Sequence, residues 1–346
     1  MRVLVTGDHG YIGSVLAPAL AAAGHDVVGF DTRLFDGCDF GADEQPAAGR
    51  VGDVRDVAAR DLAGIEAIVH LAALSNDPLG DLDRALTERI NCDATLRFAR
   101  AAREAGVRRF VFASSCSMYG ASGTDDALDE LAPLRPLTPY AESKVRAEEG
   151  LFELEDEGFV PVSMRNATAF GVSARLRLDI VLNNLAAWAH TTGRIRLLSD
   201  GIAWRPLVHI RDIARAALAL IEADEERVRG EAFNVGTDAR NYRVRELAEI
   251  VSAVSGCEIE VAEGSSADDR SYRVDFSKLA RTFPDLELEW DAERGARELF
   301  DAYRRVGLTL EEFEGNRYIR IRRLMSLLAD GRLDGDLRWR RASSDS

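Results

Sequence analysis

The first apolar run, Arg2-Val3-Leu4-Val5-Thr6, is short and rich in β-branched residues, the pattern of a strand buried on both faces. Runs of the same kind recur at 26–31, 67–73, 109–113 and 232–236. Between and beyond them, longer stretches rich in helix formers predict helices over 14–23, 83–105, 140–150, 210–223, 245–254 and 291–305. A further amphipathic helix is predicted over 317–328, ending at Gly331, its arginines forming a solvated face or packing on an acidic body. Buried strands interleaved with helices indicate an α/β chain, and 346 residues suggest two domains or one with a substantial appendage.

The turns carry the first chemistry. The opening strand is followed by Gly7-Asp8-His9-Gly10-Tyr11-Ile12-Gly13 and then by a helix. Glycines at that spacing allow a tight turn, close approach to a phosphate and close helix packing, and the helix N-terminus favours an anion. The second strand ends in Asp31, where a dinucleotide fold places the acid that accepts from the adenosine ribose. A carboxylate there repels a 2′-phosphate and favours NAD, whereas nearby Arg33 leaves NADP open. The segment 52–56, with Asp53 and Val54, reads as a strand end near the adenine. His70 reads as a packed strand histidine, and Asn91, inside a predicted helix, needs partners if buried. The 109–113 strand opens into Ser114-Ser115-Cys116-Ser117-Met118-Tyr119-Gly120, placing hydroxyls at its carboxyl end.

Thr138-Pro139-Tyr140-Ala141-Glu142-Ser143-Lys144 opens a further helix, with Pro139 in the first turn, where its missing N–H costs nothing. Tyr140 and Lys144 are four apart and share a face. A nearby ammonium is expected to lower the phenol's pKa and make it an acid/base for a sugar hydroxyl.

A net charge of −15 argues against a nucleic-acid or anionic-membrane binder. Cys38, Cys92, Cys116 and Cys257 include no Cys-x-x-Cys pair, so no metal site is expected and reduced, cytoplasmic thiols are. Neither a signal sequence nor a membrane span is read, and the last residues, 342–346, read as frayed.

In order, the glycine turn, Asp31, Ser114-Ser115 before a Tyr-Gly, and Tyr140-x-x-x-Lys144 strongly resemble the extended short-chain dehydrogenase/reductase family, the nucleotide-sugar epimerases and dehydratases, over roughly residues 1–310. The resemblance implies a Rossmann-type doubly wound parallel sheet that binds NAD, with a smaller mixed α/β substrate domain. The NAD-binding part would be 1–165 plus about 206–236, the substrate part about 166–205 plus 237–310, and 311–346 a helical extension. Ser115, Tyr140 and Lys144 would form the catalytic triad. Gly7, Gly10, Tyr11, Ile12, Gly13, Asp31, Asp53, Val54, Leu71, Ala72, Ala73, Asn91 and Ser114 would surround the cofactor, with Tyr140 and Lys144. Asn166, Arg177, Arg205 and Arg270 would meet a nucleotide-diphosphate sugar together with Ser115. A homodimer pairing the 83–105 and Tyr140 helices is implied too.

The resemblance also bears on the reaction. The 4,6-dehydratases carry Asp-Glu beside the triad hydroxyl, and this chain has Cys116-Ser117, nearer the small neutral residues of 4-epimerases. The favoured reading is an NAD-dependent epimerase at C4. Cys116 remains open as an acid/base thiol. Dehydratase, uronate decarboxylase (with Arg175 or Arg177 on the carboxylate) and 4-ketosugar reductase are the alternatives. A non-catalytic NAD-binding protein would typically lack the Tyr or the Lys.

Overall fold

The computed structural model describes residues 1–41, 49–121, 126–266 and 270–340; the predicted frayed end, 342–346, lies outside them. Seven parallel strands form one sheet in the order Ala232–Val235, Val160–Asn166, Arg109–Ser115, Ala67–His70, Arg2–Thr6, Asp26–Asp31, Arg50–Val51. The order steps outward in both directions from the first strand, so crossover helices cover both faces. Burial on both faces explains why these strands read as continuous apolar runs rather than alternating ones. One face packs on helices Gly13–Ala22 and Ile210–Glu222 through Val3, Leu16, Leu20, Ile213 and Leu220. The other packs on Ala94–Glu104 and Pro139–Phe152 through Phe98, Phe110, Ala147 and Leu151.

The predicted 83–105 helix is continuous but not uniform. It runs Arg84–Glu88, passes through a π-type turn at Arg89–Asp93, and resumes as Ala94–Glu104. Such an insertion rotates the following face by about 100°. The expected strand end at 52–56 is a 3-10 turn, Val54–Asp56, entered through Asp53, whose carboxylate accepts from the Arg55 backbone N–H.

A second apolar cluster lies beyond the carboxyl edge of the sheet. Helices Val181–Thr192, Val244–Ser255 and Ala292–Val306 pack there around Leu182, Leu247, Leu299 and Tyr303. Small sheets flank them: Asn241–Arg243, Trp204–His209 and Thr168–Phe170 in one, and the parallel pair Arg194–Ser199 and Glu258–Ser266 in another. The extension forms helices Leu310–Glu314 and Arg320–Ala329, with Gly331 in the left-handed region just past the second. Its Leu324, Leu327, Leu333 and Leu337 pack on Leu74, Leu79 and Leu86 beside the sheet edge. Among the described residues no helix is long and apolar enough to cross a membrane.

Candidate active site

A cavity of about 590 Å³ opens along the carboxyl edge of the sheet, between it and the second cluster. Gly7, Gly10, Tyr11, Ile12 and Gly13 line one part. Gly7 is fixed as glycine twice over: its φ is +75°, and a Cβ would meet Ala72 N at 3.1 Å. A Cβ on Gly13 would fall 2.1 Å from Gly7 O, so the helix starts as close to the strand as the backbone allows. The helix N-terminus thereby faces a backbone cradle suited to a diphosphate. The Tyr11 hydroxyl donates to Gly171 O at 2.7 Å, tying the turn to the second cluster.

Asp31 lines the cavity at the end of its strand, and its Oδ1 accepts from the Arg33 N–H at 2.5 Å. Burial pushes its pKa up. Arg33 turns aside: its guanidinium donates to Gly49 O at 3.3 Å and does not line the cavity. The acid therefore lines the cavity with Arg33 turned away from it, which fits NAD. Asp53, Val54, Leu71, Ala72, Ala73 and Ser114 also line this part.

Asn91 does not. It is fully buried, accepts from Leu74 N at 2.8 Å, and donates to Leu74 O and Ser143 Oγ, both at 3.1 Å. Its contribution is indirect, because it fixes the Leu74 loop and the Tyr140 helix relative to each other. His70 is a packed residue held between Thr6 and Thr95, and burial pushes its pKa down to about 3.

Thr138 caps the Pro139–Phe152 helix through the Ala141 N–H and donates to Asp77 Oδ1 at 2.7 Å, which brings Tyr140 and Lys144 into the cavity. Ser115, also in the lining, lies beside Tyr140 and opposes the rise in its pKa. Lys144 is buried, donates to Ala113 O at 2.7 Å, and lies 5.9 Å from the Tyr140 ring. The electrostatics differ from the expected lowering. Burial raises the Tyr140 pKa to about 12, with Ser115 opposing, and burial lowers that of Lys144 to about 7. An ammonium that is itself costly to charge does little for the phenol beside it.

Cys116 corrects another expectation. It lies behind the cavity, fully buried, with Sγ donating to Arg165 O at 3.1 Å, and burial raises its pKa far above the ordinary thiol range. The strand end turns its thiol into the core, so it does not meet a substrate. Ser115 and Ser117 face the cavity on either side of it.

The other wall is cationic. Arg177 binds Asp179 through Nε and Nη2, at 2.8 and 3.1 Å, and its Nη1 donates to Ser75 Oγ at 3.3 Å. Arg205 donates to Trp204 O at 2.8 Å and to Arg270 O, and Arg270 donates to Asp77 at 2.5 Å. Asn166 is buried, with a carboxamide oxygen that has no hydrogen-bond partner. Among the described lining residues, seven are Lys or Arg and four are Asp, so the cavity inverts the sign of a chain of net −15. Arg320 and Leu337, from the extension, complete the lining. Arg320 stands where the amphipathic pattern has its apolar stripe, with Leu324 and Leu327 four and seven residues on, and that was the available signal of its burial.

Three comparisons bear on this arrangement. The sequence profile of the NAD dependent epimerase/dehydratase family matches residues 3–236. UDP-glucose 4-epimerase of Mycolicibacterium smegmatis is 31% identical over 271 residues, covering 74% of this chain and 83% of its own. The dTDP-glucose 4,6-dehydratase of Streptomyces griseus is 29% identical over 301 residues, covering 81% and 90%. The solved structure of MoeE5 in complex with UDP-glucuronic acid and NAD superposes with a TM-score of 0.76 at 28% identity, covering 88% of this chain and 99% of that one.

Proposed function

The chain belongs to the NAD dependent epimerase/dehydratase family, and from that premise we propose that it is an NAD-dependent nucleotide-sugar 4-epimerase, cytoplasmic and homodimeric. The carrying observation is the strand end beside Ser115. There Cys116 is sealed in the core and Ser117 is a neutral hydroxyl, so Tyr140 has no acid/base pair next to it. Removing water across C5 and C6 needs such a pair, whereas inversion at C4 needs only one group that takes and returns a proton.

The residues divide the work as follows. Tyr140, as the phenolate that the cationic nicotinamide ring of NAD would favour, accepts the proton of the C4 hydroxyl as hydride leaves C4, giving a 4-keto sugar, and returns it when hydride comes back to the opposite face. NAD supplies the hydride acceptor. Ser115, beside Tyr140 in the lining, orients the sugar hydroxyl. Lys144, anchored on Ala113 O, would hydrogen-bond the nicotinamide ribose. Gly7, Gly10 and Gly13 hold the diphosphate of NAD, and Asp31 holds its ribose. Arg205 and Arg270 grip the diphosphate of the substrate, which suits a guanidinium fork, and Arg177 and Asn166 meet the sugar. Both cavity carboxylates nearest that region, Asp77 and Asp179, are already bound to arginines and are poorly placed to act as bases.

Incubation with UDP- and dTDP-hexoses in D₂O tests this reading. The expected product has unchanged mass, an inverted carbon and no deuterium. Loss of water or carbon dioxide would replace the epimerase with a dehydratase or decarboxylase, and turnover only with added NADH would make it a reductase. Tyr140→Phe should lower kcat by about 10²- to 10⁴-fold while the purified protein still binds NAD. Undiminished turnover in that variant would remove Tyr140 from the chemistry.

A further inference from the structure

Arg320 is the first residue of the Arg320–Ala329 helix, well beyond the region matched by the family profile. Its residue is 2% exposed, yet it lines the cavity. Its Nη2 donates to Arg175 O at 2.7 Å, its guanidinium lies 4.0 Å from the Phe35 ring, and its Nη1 has no hydrogen-bond partner. Neighbouring arginines are matched with acids. Arg175 pairs with Asp36 and Asp39, and Arg177 with Asp179. No carboxylate lies within ion-pair distance of Arg320 among the described residues. A buried guanidinium without a counter-charge is expensive. Burial and the repulsion of Arg177 lower its pKa to about 10, against a partial offset from Asp179.

Connectivity says where along the cavity this charge sits. The segment that Arg320 holds, 173–177, is stapled to the glycine turn: Ser173 Oγ donates to Tyr11 O at 2.8 Å and lies 2.7 Å from Ser14 Oγ. Arg175 itself reaches His9 Nδ1 at 3.3 Å. Phe35, on the other side, belongs to the loop just after Asp31. Arg320 thus stands between the segment stapled to the glycine turn and the loop that follows Asp31. We propose that Arg320 is a cofactor-binding residue that neutralises the NAD diphosphate from the side opposite the helix N-terminus, a counter-charge supplied by the C-terminal extension. The proposal rests on the family's NAD dependence. The diphosphate would meet the open Nη1 and stand where a carboxylate otherwise would.

The test is equilibrium binding of NAD, adenosine and UDP to the full chain, freed of cofactor, as wild type, Arg320→Met and Arg320→Lys. Arg320→Met should weaken NAD by about 10- to 100-fold, the range of a lost charge-assisted hydrogen bond, and flatten the salt dependence of NAD binding. Adenosine and UDP should bind as before. Arg320→Lys should recover part of the loss, because the charge stays and the fork is gone. Should Arg320→Met fail to fold, Arg320→Lys carries the same comparison, with NAD weakened and adenosine unchanged. Unchanged NAD affinity overturns the proposal, as does an equal loss for NAD and adenosine, which would make Arg320 a wall residue only. A loss for UDP with NAD intact also overturns it, by moving the charge to the substrate diphosphate. A wild-type chain that binds no NAD would undo the cofactor assignment instead of the placement of Arg320.

Discussion

Lys144 is the residue whose environment most departs from its behaviour in water. Its ammonium is buried against Ala113 O and the Phe112 ring, and its pKa falls from 10.5 to about 7. Charging it costs more in the folded chain than in the unfolded one, so the unfolded chain holds more protons between about pH 7 and 10.5. The stability of the cofactor-free protein, measured against Lys144→Met by denaturant midpoint, should therefore rise with pH across that window, by roughly 1 kcal/mol per unit, and be level below it. A difference that falls as pH rises would show that Lys144 is stabilised as a cation. Tyr140 was legible as a chemical group from its spacing to Lys144, but the desolvation of its half-buried ring was not, and desolvation decides its pKa. The inward turn of Cys116 was likewise invisible, since a residue just past a strand can face either way.

At the level of elements, the strands and most helices were legible because periodicity and glycine placement act locally. The π-type turn at Arg89–Asp93 was not. Nothing in a helix-forming run marks the insertion of one residue, which is selected by what it reaches. Here it coincides with the burial of Asn91, whose carboxamide satisfies both backbone groups of Leu74 and reaches Ser143 on the next helix. Asn91→Ala should lower stability by about 1–3 kcal/mol, because it strands polar groups in the core. The denaturant midpoint reads this directly, and an unmoved midpoint would mean that Leu74 finds other partners. Arg320 is the converse case. Its position in the amphipathic pattern was visible, but an arginine in an apolar stripe was read as a solvated or acid-packed residue, since only the third dimension supplies a cavity beside it.

Across the whole molecule, the extension acts as the outer wall of the cavity. Leu337 lines it, Arg338 bonds Asp56, and the Trp339 indole N–H donates to Thr32 O at 2.6 Å. Arg55 returns the contact through Asp336 O at 2.8 Å. These ties span the end that holds Asp31 and Asp53. Trp339→Ala should accelerate NADH release by about 2- to 10-fold, the worth of one modest hydrogen bond, in a stopped-flow displacement experiment. An unaltered rate would separate the tail from cofactor exchange. The wall also has a place in time. Arg320 and Leu337 follow every other lining residue in the chain, so they are the last of the cavity to be translated. A chain stopping short of Arg320 would carry the glycine turn, Asp31 and Tyr140 without the wall that Arg320 and Leu337 supply.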